Sequence, residues 1–545
     1  MPENRLVLFK LWVYPLAVVT GIAVLLYVGV RLFDFELTTH TLSWFEVLFQ
    51  TKPDYVGDAI GGVSEVLIAI LGLVITVVAI VVQLAAQRYT PKLVDLFVTD
   101  RANILYFMLM VVASTYSMLV VYSINETFLP FWGVLLLLVL TTLILGLLLP
   151  YFQHVFRFLT PENIIRIIRR NANAGMQRVL KKPSVNPGRR LRKLSTVDIP
   201  RMQVELANSM AQISDIALSA VTQMDRNVAL LSIRTLKDVM VDHLLIKRRM
   251  PSSWFKPRTE FFPAISSEFL QEIYKTRTWV EVRGFMDMEL IFKAAIQEMP
   301  DAVSAVANNA KVVGLYAIKL KDTQVLASVV QYFNTFLRLS VNNRNPKAIY
   351  NLFYQYRLLA EEVLGSDEVL AERIGFYFKY YGQIAQQYNI PLILITAAFD
   401  LEHLLEKAYA MRVPNIDALM KLFLEVDDNP ATQANEFDLR SVRKAQLRLA
   451  SFLLSQGDDT LAARIFQDMK EEPRERMDAI RGEMMAVKER KFWEVTDRGV
   501  DFFYLDDQQK HHLNEFYNRY VTPFYVAREH GTHALLDKTL KAQSA

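Results

Sequence analysis

The sequence predicts an all-α protein: a four-helix transmembrane domain followed by a large cytoplasmic, solenoid-like helical domain. Three observations carry this reading. Apolar residues concentrate in long charge-free runs within the first 152 residues, and helical periods follow one another from residue 201 onward. Glycine and proline, 19 and 20 among 545 residues, are too scarce for turn-rich β structure. Cysteine is absent, which excludes disulfides, thiolate metal sites and cysteine nucleophiles.

The membrane domain is expected over residues 1–156, with spans at about 11–30, 63–87, 102–125 and 128–152. Residues 1–10 are polar, with Arg5 and Lys10, and the first apolar run opens on Trp12 and Tyr14, suited to a membrane interface. No small-residue cleavage site follows Val30, so the run reads as a retained anchor rather than a signal peptide. The loop at 32–57 carries Asp34, Glu36, Glu46 and Asp54 against Lys52, and Glu126 is the only charge between the third and fourth spans. Arg88, Lys92 and Arg101 make the second loop basic. By the positive-inside rule both termini are cytoplasmic, as expected of a multi-pass protein of the bacterial inner membrane.

Residues 157–200 read as a basic juxtamembrane helix and linker. Arg157, Arg166, Arg169, Arg170, Arg178, Lys181 and Lys182 lead a run whose only acid up to Lys193 is Glu162. They are expected to anchor the topology and to hold anionic lipid headgroups, at about 1 kcal/mol per charge. Nucleic acid is not the expected partner, because aromatic interleaving and a recognisable module are missing.

The second span is unusual. Gly62, Glu65, Ala69, Gly72, Thr76, Ala79, Gln83 and Ala86 fall at alternating steps of three and four, one face of a helix made wholly of small or polar residues. The remaining faces are aliphatic, the inverse of a soluble coiled coil. In lipid that inversion serves close helix packing, with Gly72 and Thr76 as a small-xxx-small pair, or the lining of a polar pathway. Both readings stay open at this stage.

Two elbows, Thr90-Pro91 and Thr160-Pro161, each place a capping residue before a proline at the first helical position. After the first, Leu93, Val94 and Phe97 form an apolar face for a helix lying at the interface. The string Gln83-Leu-Ala-Ala-Gln-Arg-Tyr-Thr-Pro-Lys-Leu, with Phe97 and Asp100-Arg101, resembles the signature of bacterial predicted integral membrane proteins of the domain-of-unknown-function 2254 family. The resemblance covers about residues 10–160 and implies a membrane protein with no assigned activity. The soluble half departs from the family pattern: Ala217-Leu-Ser-Ala-Val-Thr-Gln-Met-Asp-Arg-Asn stands where a Ser-Pro-Gly-rich turn is expected.

The cytoplasmic domain, 201–545, is predicted to hold helices at about 201–221, 225–247, 264–276, 284–298, 301–321, 323–340, 346–364, 367–388, 391–410, 414–425, 438–456, 459–470, 474–489 and 491–504. The hairpin from Lys444 to Pro473 places Ala450, Gly457, Ala462 and Phe466 at offsets like those of a tetratricopeptide unit.

Catalytic constellations are missing from the sequence: there is no P-loop, Gly-x-Gly-x-x-Gly, His-Glu-x-x-His or Gly-x-Ser-x-Gly. Asp506, Asp507, His511 and His512 are better read as a solvated helix face than as a metal site. The aromatic run Phe376-Tyr-Phe-Lys-Tyr-Tyr381 reads as repeat-helix core. No enzyme activity, cofactor or metal is expected. The expected function is an oligomeric pore or ion-channel-like protein with a cytoplasmic regulatory domain; the alternative is a membrane-anchored sensor or scaffold whose helical domain binds partner proteins.

Overall fold

The computed structural model describes residues 21, 23–30, 32, 53–88, 93–125, 129–180, 198–262, 265–414, 416–428, 436–494, 496 and 498–530. The described residues contain no strand, only one isolated bridge between Lys491 and Val500. The chain divides into two compact units, residues 1–167 and 168–545.

Unit one holds α1 (Pro53–Arg88), the short α2 (Leu93–Val98), α3 (Arg101–Ser123) and α4 (Phe131–Phe158). Three helices among the described residues, within α1, α3 and α4, are long and apolar enough to cross a membrane. Four were expected. Residues 23–30 of the first expected span are helical, while the rest of it, with Trp12 and Tyr14, lies outside the described residues. So does the Thr90-Pro91 elbow. Helix α4 passes the expected end at 152 and runs through Pro150 to Phe158; neighbouring helices tolerate such a proline in a span.

Helix α1 packs chiefly on α3, and Val56, Ile60, Ser64, Leu67, Val74, Val78 and Val82 are its buried residues. One polar contact crosses this apolar seam: Ser64 Oγ lies 2.9 Å from Ser117 Oγ. Ser117 spends its own proton on Ser114 O at 2.8 Å, so Ser64 is the donor. Between α3 and α4, Tyr106 and Tyr151 stack with ring centroids 4.0 Å apart.

Helix α5 (Pro161–Leu180) contributes residues to both units. It starts at Pro161 as expected, but Thr160 Oγ1 donates back to Arg157 O at 2.9 Å instead of capping the new helix. Lys181 and Lys182 lie outside the described residues.

Unit two is a two-layer stack of helical hairpins. After α6 (Ile199–Thr222), α7 (Arg226–Ile246), α8 (Ser267–Thr276) and α9 (Trp279–Ala295), the hairpins run α10 (Pro300–Leu320) with α11 (Thr323–Asn342), α12 (Pro346–Leu364) with α13 (Glu368–Gln387), α14 (Pro391–Ala410) with α15 (Ile416–Leu424), and α16 (Glu436–Ser455) with α17 (Asp459–Met469). One layer stacks α7, α10, α12, α14 and α16 in order; α6, α9, α11, α13 and α15 form the other. The first helices of these four hairpins begin at Pro300, Pro346, Pro391 and Glu436, a period of 45 or 46 residues. The tetratricopeptide-like unit is one hairpin of this array, whose period exceeds the roughly 34 residues of that motif.

A repeated local device sets the turns. Asp198, Asp225, Asp322, Asn345, Asp367 and Asp458 each accept the backbone N–H three residues on, which stops fraying and fixes each helix start. Between helices the core is aromatic, with Phe333 stacked on Tyr356 at 4.6 Å and Phe353 on Phe378 at 5.2 Å.

The C-terminal part corrects the sequence reading. Residues 491–504, expected as a helix, are irregular and turn through Gly499 at φ +65°. Aromatic and β-branched residues weaken helix formation there, and the Arg498 side chain is drawn inward onto Asp400. After α18 (Arg474–Ala486) the chain instead builds α19 (Asp507–Phe516), a π-helical turn Tyr517–Val521 and α20 (Thr522–Glu529). The signal was present: Leu513, Phe516, Tyr517, Tyr520, Val521, Phe524 and Tyr525 recur at helical spacing and are all buried.

Candidate functional site

The small-polar face of α1 is open from Gly62 to Thr76, while Ala79, Gln83 and Ala86 border a cavity shared with α2 and α3. Gly62, Glu65, Ala69, Gly72, Thr76, Ala79 and Gln83 are exposed, and Ala86 is half-buried. The face that packs on α3 is a different, aliphatic one. A side chain added at Gly62 or Gly72 would meet nothing within 4 Å. The small-xxx-small pair therefore has no neighbour at Gly72 among the described residues. Thr76 Oγ1 donates to Gly72 O of the same helix at 2.8 Å, so its hydroxyl needs no outside partner.

The signature string builds the elbow that follows. Asp100 caps α3 by accepting from Ala102 N at 3.1 Å and Asn103 N at 3.3 Å, and the same carboxylate meets His154 Nε2 of α4 at 2.9 Å. Asn103 Nδ2 donates to Phe97 O at 3.1 Å, and Phe97 packs edge-on against Phe158 at 5.6 Å. Gln83 and Gln87 open onto an apolar cavity of about 500 Å³ between α1, α2 and α3. This is a helix-positioning set, and it explains why a polar string sits beside a span. Sequence reading missed His154 because it stands 54 positions from its partner.

The basic residues separate into two kinds. Arg157, Arg166, Arg170 and Arg178 are exposed, Arg178 with a long surface pair to Glu205 at 3.8 Å. Arg169 is committed within unit two, to Asp238 at 2.7 Å and Asp242 at 3.1 Å, with Asn173 donating to Asp242 at 2.7 Å. It is therefore a structural ion pair and not a free headgroup ligand.

The other singled-out groups fall apart spatially. Asp506 caps α19 in a capping box with Gln509, and His512 pairs with Glu515 at 2.8 Å. No three His, Asp or Glu side chains are grouped for a metal among the described residues. In the aromatic run Phe378 and Tyr381 are core, whereas Phe376 and Tyr380 are exposed and stack on each other.

Long apolar helices followed by a helical-repeat unit define an α-helical membrane protein. Residues 9–198 match the model of a family described as predicted membrane protein (DUF2254), which bears out the resemblance drawn from the Gln83–Arg101 signature and extends it past residue 160. No curated protein matches the chain. Among solved structures, one described as a circular tandem repeat protein with novel repeat topology and enhanced subunit contact surfaces aligns at 14% identity over 90% of this chain and 98% of its own. Its TM-score of 0.32 is too low to imply a shared fold.

Proposed function

We propose that this protein is an oligomeric, channel-like pore of the bacterial inner membrane, with the helical-repeat unit as its cytoplasmic regulatory domain and no enzymatic activity. The observation that carries the reading is the exposed small-polar face of α1. Gly62 and Ala86 are separated by about 36 Å along the helix, enough to traverse the hydrocarbon. Glu65 and Gln83, near its two ends, have no partner among the described residues. Leaving an ionised side chain in lipid costs about 2.5–3.5 kcal/mol at mid-membrane and less toward the interface. A second copy of the chain, or water held between copies, removes that cost, and Gly62 and Gly72 permit the close approach.

Anionic lipid is the expected partner of Arg157, Arg166, Arg170 and Arg178, and nucleic acid is not. The test uses the cysteine-free background. Single cysteines placed from Gly62 to Ala86 are probed with a membrane-impermeant thiol reagent, and ion flux is measured in liposomes. A water pathway gives labelling at three-four spacing and a measurable flux. A membrane-anchored scaffold, favoured by the exposed Phe376–Tyr380 stack on unit two, gives an unreactive face and no flux.

A further inference from the structure

A polar cavity of about 330 Å³ opens where the irregular 490–506 segment crosses α12, α14 and α16. Nothing in the reading of the α1 face involves it. Four arginines line it, namely Arg357, Arg448, Arg490 and Arg498, and His403 stands among them. Such a convergence is costly to fold, because buried cations need partners. The partners present fall short of the donors.

Arg498 is the best satisfied. Its side chain is 5% exposed, both terminal nitrogens fork onto Asp400, and its guanidinium lies over the rings of Tyr350 at 4.7 Å and Phe502 at 5.3 Å. Its Nε is nevertheless buried without a hydrogen bond. Asp400 also lies 3.1 Å from Arg357 Nε, while the Nη1 of Arg357 pairs with Glu361 on its own helix. Glu402 is divided in the same way, between Arg448 Nε at 3.2 Å and His403 Nδ1 at 2.8 Å. His403 Nδ1 lies 2.8 Å from Glu402 Oε2 and 2.8 Å from Phe399 O, so its one N–H faces two acceptors. Arg490 is exposed and has no side-chain partner among the described residues.

Two carboxylates sit at the rim, and each accepts a backbone N–H through one oxygen. Asp501 accepts from Phe503 N at 2.8 Å and Asp506 from Gln509 N at 2.7 Å. Against these carboxylates, Arg490 and the outer edge of Arg448 still offer N–H donors to the cavity, in forked planar groups that match two oxygens at once. Tyr354 and Phe502 add apolar walls.

We propose that this cavity is a binding site for a small multiply charged anion, carrying phosphate or carboxylate groups, held by Arg490 and Arg448 over the fixed Arg498–Asp400 base. The buried pairs keep the site shaped in the absence of ligand, and Arg490 closes on it from the rim.

The test uses the purified full chain in detergent, titrated with pyrophosphate and, separately, with citrate, against sodium chloride at matched ionic strength. Thermal stability and calorimetric heat are both followed. A ligand of the folded state raises the melting temperature saturably. Pyrophosphate alone active assigns a phosphate ligand; citrate alone active assigns a carboxylate; both active leave the shared chemistry standing. Arg490→Gln should weaken binding by about tenfold or more, the effect of one charge-assisted contact, without lowering the ligand-free melting temperature. Arg490→Lys should retain part of the affinity, and Lys347→Gln, an exposed cation elsewhere on unit two, should change nothing. A response no larger than that to chloride overturns the proposal, as does Arg490→Gln binding as tightly as the unmodified protein.

Discussion

The indole Nε1 of Trp254 donates to Nε2 of His243 at 3.0 Å, in a site where both side chains are fully buried. An indole nitrogen is a donor only. His243 Nε2 must therefore be the acceptor, and the ring proton sits on Nδ1, which donates to Glu281 Oε1 at 2.6 Å. The chain of three groups ties α7, the loop after it and α9 together through one neutral imidazole. Burial alone would raise the Glu281 carboxyl, but the hydrogen bond from His243 and the Lys247 charge act against it and hold the group below its ordinary range.

Trp254→Phe removes that donor and leaves Nε2 buried and unpaired. The unmet acceptor costs about 1–3 kcal/mol, and the smaller ring adds a packing loss. The expected outcome is a clear drop in the melting temperature of the full chain with unchanged helical content by circular dichroism. An unchanged melting temperature would show that the indole hydrogen bond contributes nothing.

Close packing of the hairpins predicts a second contrast. A Cβ added at Gly382 would lie 2.8 Å from Ala397 Cβ and 3.7 Å from Leu394 Cα, with no flexible tip to yield. Gly382→Ala must therefore push α13 from α14, at about 1–3 kcal/mol. Gly482, inside α18, has open space around it, so Gly482→Ala should stabilise by roughly 0.5–1 kcal/mol through helix propensity. Paired thermal melts decide; equal effects of the two substitutions would contradict the packing argument.

Asp287 gives a pH dependence. Burial pushes its carboxyl up to about 6, and the pairing with Arg283 at 3.1 Å only partly offsets this. A carboxyl raised above its unfolded value of about 4 binds its proton more tightly in the folded state. Its contribution is thus fully present below about pH 4 and is lost as pH rises towards 6. Asp287→Asn removes this slope. Melting temperatures of the unmodified chain and of the variant should diverge between about pH 4 and 6, in the variant's favour, and run parallel above. Parallel curves throughout would refute the assignment.

How much of this was legible in the sequence depends on the range of the interaction. The helix runs of unit two follow from local period, so 346–364 and 391–410 were readable to the residue. The caps at Asp322 and Asn345 lie three residues from the N–H groups they accept, and such spacing is visible in a single sequence. The 45-residue period is also there, marked by Pro300, Pro346 and Pro391, but the offsets of the Lys444–Pro473 hairpin imitate a shorter repeat and obscure it. What could not be read is long-range. Arg498 reaches Asp400 across 98 positions and His154 reaches Asp100 across 54; no local pattern announces either pair. The α1 face is intermediate: its residues were legible, but that it is open from Gly62 to Thr76 depends on where α3 lies.

That orientation yields the last prediction. Gly72→Leu places a bulky side chain where a Cβ meets no described residue within 4 Å, so the single chain should insert and fold normally. If copies meet along this face, the added volume separates them at about 1–3 kcal/mol, and crosslinking through a single cysteine at Ala69 should fall. Thr76→Val is the complementary probe. The threonine hydroxyl is satisfied by Gly72 O of its own helix, and hydrogen bonds in membranes average only about 0.6 kcal/mol; assembly should therefore survive. A water-filled pathway becomes more apolar at that point and dewets more readily, so flux should drop while crosslinking stays intact. Ser64→Val serves as the internal control, because its hydroxyl bonds Ser117 on α3 at 2.9 Å and its loss should loosen the chain's own helix packing instead. Crosslinking that is insensitive to Gly72→Leu would mean that the face meets lipid, and would remove the oligomer from the proposal.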